Sequence, residues 1–313
     1  GVSDIVIGLT VVAFGTSMPE FVVNMVAVGQ GSTEIAITNV LGSNIINTFV
    51  ILGCTALIFP ISSQKSTRCF DIPFSLLAAL LVLLFVIYDS PSWLQVEHLF
   101  NMHIDTPSLQ DLGSIQMGAG TSGFISGIGG SILLIFFLLF LWHNFKSIGS
   151  APKTESNEEY KPMSARRALA LIIGGLVGLV VGGEVIVKSA TSIAQSLGVS
   201  DAIIGLTVVA LGTSLPELAT SCMAAFKKNC DIALGNVIGS NIFNIFFILG
   251  TSACVKALPG YHGLETDAMM AALGSVLVML FVYLTKKHEI KRWHGAILLL
   301  TYAAYLAYRI ITL

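Results

Sequence analysis

The chain has 313 residues, 54% of them hydrophobic and only 11% charged, with a mean hydropathy of +0.84 and a formal net charge of −2. Soluble domains carry about 25% charged residues, so this balance excludes a soluble enzyme, a nucleic-acid binder and a disordered regulator. The five cysteines show no CxxC or Cys/His spacing, which argues against a zinc site or a disulfide framework.

A membrane-crossing helix needs about 20 mostly apolar residues. Nine segments qualify in chain order: 2–27, 34–60, 72–89, 119–143, 167–188, 199–224, 231–257, 268–285 and 293–312. Backbone groups in lipid must be paired within their own segment, so these spans are helices. The connection 90–118 carries Asp, Glu and His but no Lys or Arg. The stretch 146–166 is the only charged linker, a solvated hinge that divides the chain into halves 1–145 and 167–313. Thirteen of the 16 basic residues fall in the connections after spans two, four, six and eight, which alternation places on one side. Cytoplasmic loops are enriched in Lys and Arg, so that side is expected to face the cytoplasm, with the chain in the plasma (inner) membrane.

Internal repetition is strong. Residues 2–20 read VSDIVIGLTVVAFGTSMPE and residues 199–217 read VSDAIIGLTVVALGTSLPE, identical at 15 of 19 positions. The same offset of 197 aligns NVLGSNIINTFVILG (39–53) with NVIGSNIFNIFFILG (236–250) without a gap. Shared apolar composition does not produce matched Gly, Thr, Ser, Pro, Glu and Asn. The second copy has an apolar helix, about 167–188, just before its VSD. A matching helix is therefore expected upstream of Gly1, giving ten helices as five plus five, nine of them present. An odd number of spans per copy turns the two copies opposite ways, the inverted-repeat design of many secondary transporters.

The chemistry lies inside the repeat. Glu20 and Glu217 sit deep in apolar spans, where a carboxylate costs roughly 2.5–3.5 kcal/mol on insertion scales. Pro19 and Pro216 have no N–H for the carbonyls of Gly15 and Gly212, which frees oxygens around Thr16 and Thr213 to face a ligand. Each GTSxPE turn thus offers a carboxylate, carbonyls and two hydroxyls. Such hard oxygen donors suit Ca²⁺, and they suit Na⁺ as well. Asn39, Ser43 and Asn47 share one helix face, as do Asn236, Ser240 and Asn244, and their oxygens could complete a cation's shell. Interhelical hydrogen bonding is the alternative for Asn39 and Asn236, and for Asn44 and Asn241, which lie off that face. Gly42 and Gly239 leave room for close helix approach. Two carboxylates would neutralise one Ca²⁺, and Na⁺ ions sharing the same oxygens would compete with it. Competition at a site that opens to either side gives antiport. None of the six His residues falls mid-span, which disfavours a histidine proton relay.

At these residues the sequence resembles the Ca²⁺/cation antiporter superfamily, the sodium/calcium exchangers of prokaryotic type. Their two α-repeats carry G-T-S-x-P-E and G-S-N-x-x-N signatures, here at 15–20, 42–47, 212–217 and 239–244. The resemblance spans most of the chain apart from 90–118 and 146–166. It implies an all-α polytopic membrane protein of two inverted-topology five-helix repeats, and four cation sites. Glu20, Glu217, Thr16 and Thr213 would hold Ca²⁺. Ser17, Ser43, Asn47, Ser214, Ser240 and Asn244 would serve Na⁺ and shared positions. One Ca²⁺ would exchange for three Na⁺, so each cycle moves net charge. The ions are substrates, no cofactor is implied, and membrane lipid is the expected surrounding partner. The family's long first helix, which slides during gating, has no counterpart in the sequence. Asn244 stands where potassium-dependent relatives often have Asp, which disfavours K⁺ cotransport. A Ca²⁺/H⁺ antiporter using Glu20 and Glu217 as proton carriers is the alternative, although GTSxPE is closer to the sodium-coupled branch. A channel or scaffold with a vestigial site is a third reading. No HExxH, nucleophile elbow or phosphate loop points to an enzyme.

Overall fold

The computed structural model describes residues 7–88, 124–148, 164–196, 210–261 and 263–312. The connection 90–118 and most of the linker 146–166 lie outside the described residues, as do 197–209, which include the first half of the sixth expected span, 199–224. In chain order the helices are α1 (Gly8–Thr16), α2 (Met18–Gly29), α3 (Thr33–Ile58), α4 (Thr67–Ile87) and α5 (Gly127–Ile148). They continue as α6 (Ala165–Ser196), α7 (Ala210–Thr213), α8 (Leu215–Phe226), α9 (Cys230–Val255), α10 (Leu264–Leu284) and α11 (Arg292–Thr312). Six of them, α3, α4, α5, α9, α10 and α11, are long and apolar enough to cross a membrane, and α1 with α2 makes a seventh, bent span. The fifth expected span, 167–188, falls within the 32-residue α6.

Proline sets the breaks. Pro19 and Pro216 each occupy the first turn of a helix, α2 and α8, where a missing N–H leaves no hydrogen bond unmade. The preceding Ser17 (φ −87°, ψ 6°) and Ser214 (φ −89°, ψ 7°) leave helical geometry in the same way. At Ser17 the axis bends by 50°. Segments read from sequence as single spans, 2–27 and 199–224, are therefore interrupted where the carboxylates sit. The fourth expected span starts later than position 119, because Phe124–Ile125 is extended and Ser126 accepts hydrogen bonds from the first turn of α5.

Two short antiparallel ladders join the halves reciprocally. β1 (Ile61–Ser62), just after α3, pairs with β4 (Glu289–Ile290), just before α11. β3 (Leu258–Pro259), just after α9, pairs with β2 (Phe124–Ile125), just before α5. Glycine makes the matching helix crossings. A Cβ on Gly295 would lie 2.5 Å from Gly53 O, and one on Gly130 would lie 2.6 Å from Gly250 O. Gly53 and Gly250 are separated by the repeat offset, so each repeat's long helix crosses the last helix of the other at the same place.

The two copies run in opposite directions. The start of α9 lies by the end of α3, where Gln64 Nε2 donates to Asp231 Oδ2 (2.6 Å) and Cys230 Sγ to Pro60 O (3.5 Å). The end of α9 lies by the start of α3, where a Cβ on Gly31 would be 3.3 Å from Lys256 Nζ. These contacts and the β1–β4 ladder gather Lys65, Lys227, Lys228, Lys286, Lys287, Lys291 and Arg292 at one end of the bundle. Lys256 lies at the other.

The core is apolar, with Phe74, Phe136, Phe140 and Phe246 packed ring to ring. The outer surface is apolar too: Leu138 is 63% and Leu300 70% exposed. A bundle hydrophobic inside and out is built for lipid.

Candidate cation-binding site

Glu20 and Glu217 are both fully buried, in the first turns of α2 and α8. Each is reached by the serine at the opposite break. Ser17 Oγ donates to Glu217 Oε1 (2.8 Å), and Ser214 Oγ donates to Glu20 Oε1 (3.4 Å). Ser240 on α9 adds a longer bond to Glu217 Oε1 (3.5 Å). The two interrupted helices therefore present their carboxylates to each other.

The second oxygens are the informative ones. Glu20 Oε2 and Glu217 Oε2 are buried and have no hydrogen-bond partner among the described residues. The same holds for Ser43 Oγ, for both amide atoms of Asn47 and for Asn244 Oδ1. Buried polar atoms are otherwise nearly always paired, and an unpaired buried charge is far costlier than a neutral group. Arg309 is the one buried Lys or Arg among the described residues, and its Nε pairs with Asp267 (3.3 Å) instead. Two carboxylates without a basic neighbour call for mobile positive charge, either metal cations or protons.

The sequence places ten residues here. Thr16, Ser17, Glu20, Ser43, Asn47, Ser214, Glu217, Ser240 and Asn244 are buried, and Thr213 is half-buried at the end of α7. Thr16 Oγ1 donates to Asn236 Oδ1 (3.1 Å), so its hydroxyl is engaged with the helix opposite. Asn47 and Asn244 stand in wide, i to i+5 turns, Ile46–Ile51 within α3 and Phe243–Leu249 within α9. Such turns are rare and often accompany functional sites. No period in the sequence announces them.

The asparagines left open between ligand and strut make hydrogen bonds between helices. Asn39 Nδ2 donates to Glu20 O (3.3 Å) and Asn24 Oδ1 (2.6 Å). Asn236 Nδ2 donates to Glu217 O (3.2 Å) and Ser221 Oγ (2.9 Å). Asn24 and Ser221 are separated by 197 positions, so the repeat offset could have found this pair, which sequence reasoning missed. Asn44 Nδ2 donates to Asn241 O (3.1 Å), and Asn241 Nδ2 to Thr48 Oγ1 (2.8 Å). Gly239 makes the close approach expected of it, since a Cβ there would lie 2.7 Å from Leu9 O.

Comparison with known proteins agrees with this geometry. Residues 1–146 and 167–311 match the family described as sodium/calcium exchanger protein. The sodium/calcium exchanger MaX1 of Methanosarcina acetivorans is 32% identical, over 98% of this chain and 89% of its own. The inner membrane protein YrbG of Escherichia coli is 31% identical, over 82% of this chain and 70% of its own. Among solved structures, the sodium-calcium exchanger NCX_Mj soaked with zero Na⁺ and Ca²⁺ superposes with a TM-score of 0.72 at 32% identity, covering 99% of this chain and 87% of that one. A multi-pass bundle with paired buried carboxylates in duplicated motifs, matched by family and structure along its length, has one reading: the chain belongs to the sodium/calcium exchanger family of membrane antiporters.

Proposed function

We propose that this chain exchanges Ca²⁺ for Na⁺ at one shared site, with net charge moving in each cycle. The observation that carries the reading is the set of buried oxygens without partners: Glu20 Oε2, Glu217 Oε2, Ser43 Oγ, Asn47 Oδ1 and Asn244 Oδ1. One Ca²⁺ between the carboxylates balances their two charges, and Thr16 and Thr213 at the helix breaks supply further oxygen. Ser17, Ser43, Asn47, Ser214, Ser240 and Asn244 extend the oxygen surface to either side. Such a surface is wasted on protons, which need only the carboxylates, but is what two or three Na⁺ require in place of one Ca²⁺. Three Na⁺ against one Ca²⁺ leaves one charge uncompensated, so transport responds to voltage.

Competition is then a matter of charge and oxygen count. Ca²⁺ and the Na⁺ set cannot occupy the same carboxylates together, so filling by one expels the other. Alternating exposure of the site to the two ends of the bundle converts this competition into coupled counterflow. The basic end is assigned to the cytoplasm and the membrane to the cell's plasma (inner) membrane. The alternative, Ca²⁺/H⁺ exchange on the carboxylates alone, makes the orphaned Ser43, Asn47 and Asn244 oxygens irrelevant. Reconstituted protein separates the two. With Na⁺ inside the vesicles, Ca²⁺ entry speeds up when the interior is made positive, and Ser43→Ala and Asn244→Ala raise the half-saturating Na⁺ several-fold. Entry indifferent to voltage and to both substitutions supports the proton reading.

A further inference from the structure

Between α3 and α9 four buried asparagines form a chain that the repeat symmetry fails to complete. In one half it closes. Asn244 Nδ2 donates to Asn44 Oδ1 (3.0 Å), while Asn44 Nδ2 donates to Asn241 O (3.1 Å). The Asn244 amide is thereby held by its N–H₂ side, and its Oδ1 is left without a partner. The equivalent bond in the other half runs from Asn47 Nδ2 to Asn241 Oδ1. It is not made: Asn47 Nδ2, Asn47 Oδ1 and Asn241 Oδ1 are all buried and unpartnered.

The halves differ at one residue beside this pair. Asn241 Nδ2 donates instead to Thr48 Oγ1 (2.8 Å), and the repeat counterpart of Thr48 is Ile245, which has no hydroxyl. The Asn241 amide is therefore turned by its Nδ2 toward Thr48, whereas Asn44 has no such acceptor at the matching position and its Nδ2 goes to Asn241 O. All five polar side chains, Asn44, Asn47, Thr48, Asn241 and Asn244, are less than 5% exposed.

We propose that Asn44 and Asn241 are positioning residues for the amides of Asn244 and Asn47, and that Thr48, by drawing Asn241 away, leaves the Asn47 amide free to turn. The inference rests on the exchange reading above, in which those amide oxygens face the cations. Two otherwise matched halves then differ in function. Asn244 presents a fixed oxygen, and Asn47 presents one only when a cation orients it. Fixing a ligand in advance strengthens binding by removing the cost of ordering it, so the free amide weakens one half of the site and makes release from it easier.

Thr48→Val keeps the shape and removes the hydroxyl. Asn241 is then released to clamp Asn47, and cation binding tightens by about threefold to tenfold, the factor one net hydrogen bond supplies. Thr48→Ser retains the hydroxyl and behaves as the parent chain. Ile245→Thr installs the acceptor in the second half and weakens binding by a similar factor. The readouts are calorimetric titration of the purified full chain with Na⁺ and Ca²⁺ separately, and the Na⁺ dependence of Ca²⁺ uptake in vesicles. Opposite shifts for Thr48→Val and Ile245→Thr, with Thr48→Ser unchanged and the maximal rate moving less than half-saturation, support the inference. Unchanged titrations, or Thr48→Val and Thr48→Ser shifting alike, overturn it. If Thr48→Val does not reach the membrane, the direction of the Ile245→Thr shift decides. If uptake by the parent chain ignores Na⁺, the exchange reading fails, while the titrations still score the clamp by themselves.

Discussion

Ser17 Oγ reaches Glu217 Oε1 at 2.8 Å, whereas Ser214 Oγ reaches Glu20 Oε1 only at 3.4 Å. A hydrogen bond to a charged group is worth about 1.5–3 kcal/mol, and the shortest should matter most. Ser17→Ala is therefore expected to slow Na⁺-driven Ca²⁺ uptake by about tenfold or more, and Ser214→Ala by less; equal initial rates for the two would contradict the geometry. Away from the site, Asp267 accepts from Tyr261 OH (2.5 Å) and Tyr305 OH (2.8 Å) and pairs with Arg309, which fills the space beside Gly263 (φ +92°). Asp267→Asn leaves Arg309 buried without its counter-charge and should cost about 3–5 kcal/mol. Adding Arg309→Met should recover part of that, both read as melting temperatures in detergent. Burial, then the Asp267 carboxylate, hold the Tyr261 hydroxyl well above the ordinary value of 10.0. A raised value favours the protonated, folded form, so its contribution is intact below pH 10 and lost as pH rises beyond. Melting should fall in that range, less steeply in Tyr261→Phe.

Among the elements, legibility followed composition. Long apolar runs gave α3, α4, α9, α10 and α11 to within a few residues, because in lipid length and hydropathy leave little else for a segment to be. Pro19 and Pro216 marked the turns that break. What stayed hidden depends on pairing between distant segments: the two ladders, the wide turns at Asn47 and Asn244, and the bond from Asn241 to Thr48. Glu20 and Glu217 were readable because a buried charge is costly wherever it sits. The interhelical bonds of Asn39 and Asn236 were not, since they turn on partners that a helix face does not name. Glycine crossings give a test at this scale. A Cβ at Gly239 or Gly295 meets backbone atoms within 2.7 Å, while one at Gly29 meets nothing within 4 Å. Overpacking of this kind costs about 1–3 kcal/mol. Gly239→Ala and Gly295→Ala should lower the melting temperature, and Gly29→Ala should leave it near the parent value.

As a whole, the molecule is two copies of one unit, run in opposite directions and laced together by reciprocal strands and crossings, with the carboxylates where the copies meet. The repeat was legible from identity at a fixed offset, while the opposite run of the copies shows in the contacts between the ends of α3 and α9. Orientation in the membrane is testable with thiol labels at exposed positions on the two ends. Lys256→Cys should react with an impermeant reagent on intact cells, and Lys287→Cys only after permeabilisation. The reverse pattern would invert the assignment. The most direct test of the central claim is radiolabelled Ca²⁺ uptake into vesicles holding the purified full chain, with outward Na⁺ and pH gradients imposed one at a time. Uptake driven by the Na⁺ gradient alone, and lost in both Glu20→Gln and Glu217→Gln, is the predicted result. Uptake driven by the pH gradient and indifferent to Na⁺ would contradict it.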